Sequence, residues 1–269
     1  MSTVNLILSD IDGTLLTSEH TIDSELKATL TQTKHPFVLA SARSPKGMFP
    51  IVEELGLKDN PIVCYNGALI IKKNDKAYDI LSQHALIKND IYVLLEKIES
   101  QFPDVSVSLY SHDEWLIEKD DYWVQQEADI TKQKPTKTDF KTFLAEPMTQ
   151  VHKLLLISDA KEINELLLTL KAMSFEDFSC YLSKDNYLEI TTNSVSKENA
   201  LKEIAAYYHV PIEETMAIGD NYNDILMIQL AGVGVAMGNA PEDVKLASDW
   251  ITSDNNHNGL SRAINQCFK

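Results

Sequence analysis

Cysteine is scarce in this chain of 269 residues, and Cys64, Cys180 and Cys267 lie far apart with no C-x-x-C pair. A disulfide framework or zinc site is therefore not expected, and a reducing cytoplasm suits the sequence. The seven histidines show no metal-type spacing. Long apolar runs are missing too. The first, Val4 to Leu8, is too short for a signal peptide or a membrane span. No low-complexity tract, charge block or repeat is present. Positive charge is outweighed, with 24 Lys and Arg against 40 Asp and Glu and a formal net charge of −16. Such an envelope repels phosphate backbones and anionic lipid, so neither nucleic acid nor membrane is an expected partner.

What remains is an ordinary globular composition, 44% hydrophobic and 24% charged, long enough for one large or two modest domains. Val4–Leu8, Pro36–Ala40 and Ile62–Tyr65 read as short buried strands. Between them, Asp23–Thr33 and Ser44–Gly56 carry helical spacing, with Asp23 as N-cap and Gly56 as stop. Strands alternating with helices predict a parallel sheet covered on both faces. A hairpin follows at 68–71 and 78–81. The insert brings helices at 87–102 and 160–173, a strand at 153–157, and hairpins at 105–117 and 179–191. The lysine-rich stretch 131–138 reads as a surface loop. From Lys197 the alternating pattern returns, with strands at 215–218, 233–237 and 249–252. The expected organisation is an α/β core formed by residues 1–83 plus 190–269, interrupted by an α+β unit at 84–189.

Ligands of open parallel sheets bind at the carboxyl ends of the strands. There the first strand delivers Asp10 and Asp12, the second Ser41, the third Asn66, and the strand before Gly219 delivers Asp220, with Asn223 and Asp224 on the next turn. Lys197 opens a helix. Gly13 turns the chain so that the carboxylates of Asp10 and Asp12 can face one cavity. Carboxylates that close repel unless a cation binds or one is protonated. Hard oxygen donors of this kind suit Mg²⁺. Each piece has a blander reading. Asp12-Gly13-Thr14 is also an ordinary turn, a lone lysine is usually solvated, Arg43 suits a helix anchor as well as an anion contact, and Asn66 suits a turn. In the insert, Tyr110, Trp115, Tyr122 and Trp123 read as hairpin aromatics in core packing rather than a pocket lining. His112 reads as an exposed turn and Cys64 as core.

The motifs in combination are more specific. Leu8-Ser9-Asp10-Ile11-Asp12-Gly13-Thr14-Leu15-Leu16 resembles the first motif of the haloacid dehalogenase superfamily. Ala40-Ser41-Ala42-Arg43 resembles the second, Ser196-Lys197-Glu198-Asn199-Ala200-Leu201 the third, and Gly219-Asp220-Asn221-Tyr222-Asn223-Asp224 the fourth. Tyr65-Asn66-Gly67-Ala68 and Ala236-Met237-Gly238-Asn239-Ala240 are similar to the Cof-type branch, subfamily IIB. The resemblance spans the chain in order. It implies a Rossmann-like parallel-sheet core with an inserted α+β cap that sets specificity. It also implies a Mg²⁺-dependent phosphatase. Asp10 would be the nucleophile that forms an aspartyl-phosphate, and Asp12 the general acid and then base. Asp10, the backbone carbonyl of Asp12, and Asp220 would hold the metal. Ser41, Lys197, Asn223 and the N–H groups of Ile11 and Ala42 would hold phosphate oxygens. Asp224, Asn66 and Arg43 would stand behind them. Ala42 and Glu198 replace residues that are commonly glycine in the family, which alters loop shape without removing a catalytic group.

Sugar phosphates are the first expected substrates, with nucleotides and pyridoxal phosphate behind. A phosphomannomutase-like enzyme would need extra basic residues for a bisphosphate, and the insert holds lysines but no arginine. A receiver-like phosphoacceptor would lack the second carboxylate at Asp12. Nothing in the sequence fixes the oligomeric state, and a monomer is the starting expectation.

Overall fold

The computed structural model describes residues 3–74, 77–173, 175 and 177–268. The chain divides into two compact units. The first is formed by 1–43, 48–82 and 196–269, the second by 44–47 and 83–195.

In chain order the elements begin with β1 (Leu6–Ser9), α1 (Ser24–Gln32), β2 (Phe37–Ala40), α2 (Pro45–Leu55), β3 (Pro61–Cys64), β4 (Leu69–Lys73) and β5 (Tyr78–Gln83). Then come α3 (Lys88–Gln101), β6 (Ser106–Ser111), β7 (Glu114–Ile117), α4 (Tyr122–Thr131), β8 (Thr136–Lys137), α5 (Phe140–Ala145), β9 (Lys153–Ile157), α6 (Ala160–Ala172), β10 (Phe178–Lys184) and β11 (Tyr187–Thr192). The chain closes with α7 (Lys197–Tyr208), β12 (Thr215–Gly219), α8 (Ile225–Leu230), β13 (Val233–Ala236), α9 (Glu242–Leu246), β14 (Trp250–Ile251) and α10 (Gly259–Cys267).

One sheet runs β14-β13-β12-β1-β2-β3-β4-β5. Its pairings from β14 to β3 are parallel, and β4 is antiparallel to β3. The strands are near-continuous apolar runs because both faces are buried. On one face Leu6, Leu8, Val38, Ala40 and Val63 pack with Ala200, Leu201 and Ile204 of α7, Met227 and Ile228 of α8, and Val244 of α9. Cys64, one residue past Val63, points the other way, and its Sγ lies 3.5 Å from Met48 Sδ of α2. The expected fold class is the one observed.

The second unit has its own sheet, β10-β11-β9-β6-β7-β8. Leu109, Leu116, Leu154, Leu156, Leu188 and Ile190 form one face of its core with Ile91, Leu94, Ile163 and Leu166 of α3 and α6. Three features here differ from the sequence reading. The lysine-rich stretch 131–138, expected as a surface loop, contains β8, which pairs in parallel with β7. Two further helices, α4 and α5, flank it, so Tyr122 and Trp123 lie on a helix rather than a hairpin. His112 is half-buried at φ +54°, with its ring edge-on to His152 at 5.0 Å. Tyr110 and Trp115 are buried core, stacked on each other, and Trp115 donates to Ser108 Oγ at 2.8 Å. Among the described residues no helix is long and apolar enough to cross a membrane.

Candidate active site

The site belongs to the first unit and begins where β1 runs out. Asp10 N–H still donates to Ile218 of β12 at 3.0 Å, so the ladder fixes the start of the loop. The Ile11 carbonyl then accepts from Leu15 and Leu16 at 2.9 Å, closing a tight turn around Gly13. Gly13 sits at φ +86°, and a Cβ there would lie 2.3 Å from Asp220 Oδ2. Only glycine lets the Asp12-Gly13 backbone come this close to the Asp220 carboxylate.

Asp10 and Asp12 do not share one environment. Asp10 is buried, and its Oδ1 accepts from Lys197 Nζ. Asp12 is exposed, and its carboxylate is forked by Arg43, Nε to Oδ2 at 2.7 Å and Nη2 to Oδ1 at 2.5 Å. The repulsion expected within the pair is thus met by giving each carboxylate its own cationic side chain.

Lys197 is the first residue of α7, which Ser196 caps by accepting from Asn199 N–H at 3.1 Å. Fully buried, its ammonium donates to Asp10 and, at 2.6 Å, to Asp224 Oδ1. Asp224 Oδ2 in turn accepts the backbone N–H groups of Asp220 and Asn221, both at 2.9 Å. Thr14 Oγ1 donates to Asp220 Oδ1 at 2.7 Å. One carboxylate oxygen from each of Asp10, Asp220 and Asp224 can be chosen so that the three lie within 4.8 Å of one another.

Charge is out of balance in this cluster. Burial pushes the Asp10 carboxyl well above its usual range; Lys197 pulls it down, while Asp224 and Asp220 push it up again. Burial, with Asp224 adding to it, lifts Asp220 to about 6 against the pull of Thr14 and Lys197. For Lys197 burial acts downward, but Asp10 and Asp224 outweigh it and hold the ammonium above the ordinary lysine range. Three carboxylates against one ammonium leave a formal excess of two negative charges. A divalent cation with a taste for hard oxygen would cancel that excess, so the donor set fits Mg²⁺. To the ligands that the resemblance implies, Asp10, the backbone carbonyl of Asp12 and Asp220, the geometry adds the Asp224 carboxylate, expected only to stand behind them, as a further candidate; the Asp12 side chain, which was not among them, faces Arg43.

The remaining candidates form the rim. Ser41 is buried at the end of β2, and its Oγ accepts the Arg43 N–H at 3.2 Å. Ala42 is half-buried and not at positive φ. Tyr65, Asn66 and Gly67 all take positive φ. Their turn lies against the start of α7, since a Cβ on Gly67 would sit 2.8 Å from the Ser196 carbonyl oxygen. Asn66 Oδ1 accepts from Asn223 Nδ2 at 3.1 Å, joining the turn after β3 to the turn after β12. The Ile11 side chain is fully buried. Sequence reasoning missed two groups. Thr14 holds Asp220, and Asn239 donates to the Gly13 carbonyl at 2.9 Å. Both stand inside motif runs, Thr14 in Leu8–Leu16 and Asn239 in Ala236–Ala240, which was the signal available.

Fold and cluster together define an α/β protein with an acidic, lysine-tied centre at the carboxyl edge of its parallel sheet. A family model described as haloacid dehalogenase-like hydrolase matches residues 7–264. A haloacid dehalogenase-like hydrolase from Bacteroides thetaiotaomicron superposes with TM-score 0.87 at 33% identity, covering 98% of this chain and 99% of that one. Phosphatase YwpJ of Bacillus subtilis is 29% identical over 97% of this chain and 99% of its own length. The 5-amino-6-(5-phospho-D-ribitylamino)uracil phosphatase YitU of the same organism is 28% identical over 98% and 97%. The chain belongs to the haloacid dehalogenase-like hydrolases. Family, fold and relatives support a phosphoric monoester hydrolase of the Cof type.

Proposed function

We propose that the chain is a Mg²⁺-dependent phosphatase of small phosphorylated metabolites that works through an aspartyl-phosphate on Asp10. The observation that carries this reading is the buried Asp10 at the end of β1, tied by Lys197 to Asp224 and within 4.8 Å of Asp220. Lys197 donates to Oδ1 of Asp10, and the other oxygen, Oδ2, is assigned to the attack. In the first step Asp10 Oδ2 bonds to phosphorus, the bond from phosphorus to the substrate oxygen breaks, and Asp12 gives its proton to the departing alkoxide. In the second, Asp12 takes a proton from water. The hydroxide bonds to phosphorus, and the bond to Asp10 breaks, returning the carboxylate and inorganic phosphate. Lys197, Ser41, Asn223 and the N–H groups of Ile11 and Ala42 are assigned to the phosphate oxygens. Asp10, Asp220, Asp224 and the Asp12 carbonyl are assigned to Mg²⁺, which when bound supplies charge neutralisation for the transferring group.

Substrate choice is assigned to the expected cap, residues 84–189, which falls within the second unit, because the side chains assigned above to the first unit serve the phosphate chemistry alone. Sugar phosphates are the favoured class. YitU's substrate carries its phosphate on a polyhydroxylated ribityl chain, which supports this choice. The test is phosphate release from a panel of phosphorylated sugars, nucleotides and pyridoxal phosphate, with Mg²⁺ and with EDTA. Asp10→Asn is expected to abolish release, and unchanged turnover in that variant would remove the nucleophile assignment. Asp12→Ala is expected to lose about 10²- to 10⁴-fold on an alkyl phosphate.

A further inference from the structure

We infer that Arg43 is the positioning residue for proton transfer, holding the Asp12 carboxylate in register with the reacting bond. This rests on the reading of Asp12 as the acid and base of the reaction. Asp12 lies on an exposed turn, flanked by a glycine at positive φ. Its side chain is 46% exposed and would otherwise sample several rotamers. Arg43 removes that freedom. Its planar fork meets both carboxylate oxygens, which fixes the place and orientation of the ionised carboxylate, the form that takes the proton from water, and one arm of the fork is given up when Asp12 carries the proton of the first step.

Arg43 is itself anchored by its backbone. Its N–H donates to Ser41 Oγ, and its carbonyl accepts from Tyr65 N–H at 3.1 Å. The end of β2 is thus a fixed mount from which one side chain reaches across to the loop after β1. A partly exposed ion pair contributes little to folding. The geometry therefore points to placement rather than stability.

The test uses the full-length enzyme with Mg²⁺, in variants Arg43→Ala, Arg43→Lys, Asp12→Asn and the Arg43→Ala/Asp12→Asn double. Two readouts are taken: kcat and KM on the alkyl phosphate found by the panel, and the burst of 4-nitrophenolate from 4-nitrophenyl phosphate. The second leaving group needs no proton. If Arg43 acts through Asp12, Arg43→Ala lowers kcat on the alkyl ester by about 10- to 100-fold, part of the usual acid–base factor. KM changes little, the burst rate is nearly kept, and melting is unchanged. In the Asp12→Asn background the same substitution costs almost nothing, and Arg43→Lys restores only part because lysine lacks the fork. Equal losses on both substrates, a rise in KM alone, or full additivity with Asp12→Asn would assign Arg43 to the phosphate and overturn the inference. A wild-type enzyme that releases phosphate without needing Asp12 would instead remove the reading beneath it, a result the Asp12→Asn control separates.

Discussion

Lys197 carries the heaviest electrostatic load of any single side chain in the site. It is the cation hydrogen-bonded to two buried carboxylates, and it sits at the point where α7 starts. Removing one partner from a buried ionic cluster costs more than the cluster contributes as a whole, because the charge left behind is uncompensated. Lys197→Met keeps the volume and deletes the charge. In EDTA it is expected to lower unfolding stability by about 3–5 kcal/mol. Adding Asp224→Asn should return part of that loss, since it removes one of the stranded negative charges. Urea denaturation of the two variants measures this, and a double variant less stable than Lys197→Met alone would contradict the account. Asp10 and Lys197 were legible as chemistry-bearing residues because each stands at a strand end or helix start that the apolar pattern marks. The fork between Arg43 and Asp12 was not legible. Nor was the hydrogen bond from Thr14 to Asp220, which joins residues 206 apart in sequence. Pairings of this kind depend on which way side chains leave adjacent strands, and spacing along one chain carries no record of that.

Between elements, His152 acts as a stitch in the second unit. It is fully buried just before β9. Its Nδ1 accepts the backbone N–H of His112 from the β6–β7 turn at 3.1 Å, and its Nε2 faces Gln83 Oε1 at the end of β5 at 3.3 Å. That pattern requires the neutral Nε2–H tautomer, because a proton on Nδ1 would face another donor. Burial, with His112 and His84 nearby, pulls its pKa down to about 3. An unfolded histidine titrates near 6.5. Below that value the unfolded chain takes up a proton that the folded chain refuses. The stabilisation is therefore complete above about pH 6.5 and is lost as pH falls toward 3, by up to about 1.4 kcal/mol per pH unit. His152→Asn keeps an acceptor and cannot titrate. Its urea midpoint is expected to fall less steeply than wild type between pH 6.5 and 4, and parallel slopes would refute the assignment. The elements missed by sequence have physical causes as well. Helix α4 opens on Tyr-Trp-Val, poor helix formers, and buries only Val124 and Glu127, so it shows almost no apolar stripe. It ends on Lys132 at φ +56° where a glycine would have signalled the stop. Helix α5 has six residues and β8 has two, too few for any period to register.

At the scale of the whole molecule, the site and the two cores divide unevenly. The candidate metal ligands come from both ends of the sequence, Asp10 from the first segment and Asp220 and Asp224 from the last, yet all belong to the first unit. They meet only when β1 and β12 pair, so the cluster exists only in a folded first unit. The second unit has a separate hydrophobic core and none of these ligands. A ligand that binds the folded form alone stabilises whatever must fold to make its site, by about 2.7 kcal/mol at a hundredfold excess over Kd. Mg²⁺ is therefore expected to act on one unit selectively. It should slow the slowest-exchanging amides of β1 and β12 by up to about 100-fold at that excess, and those of β9 and β11 far less. Chelation should reverse the effect. Asp220→Asn should abolish it while raising the stability of the metal-free protein, because one of the crowded carboxylates is gone. Hydrogen exchange read by mass spectrometry at constant ionic strength separates this from general screening of the −16 envelope, which would protect both units alike. Equal protection of β1 and β9, or protection that survives Asp220→Asn, would mean that the cation is not held where the three carboxylates converge.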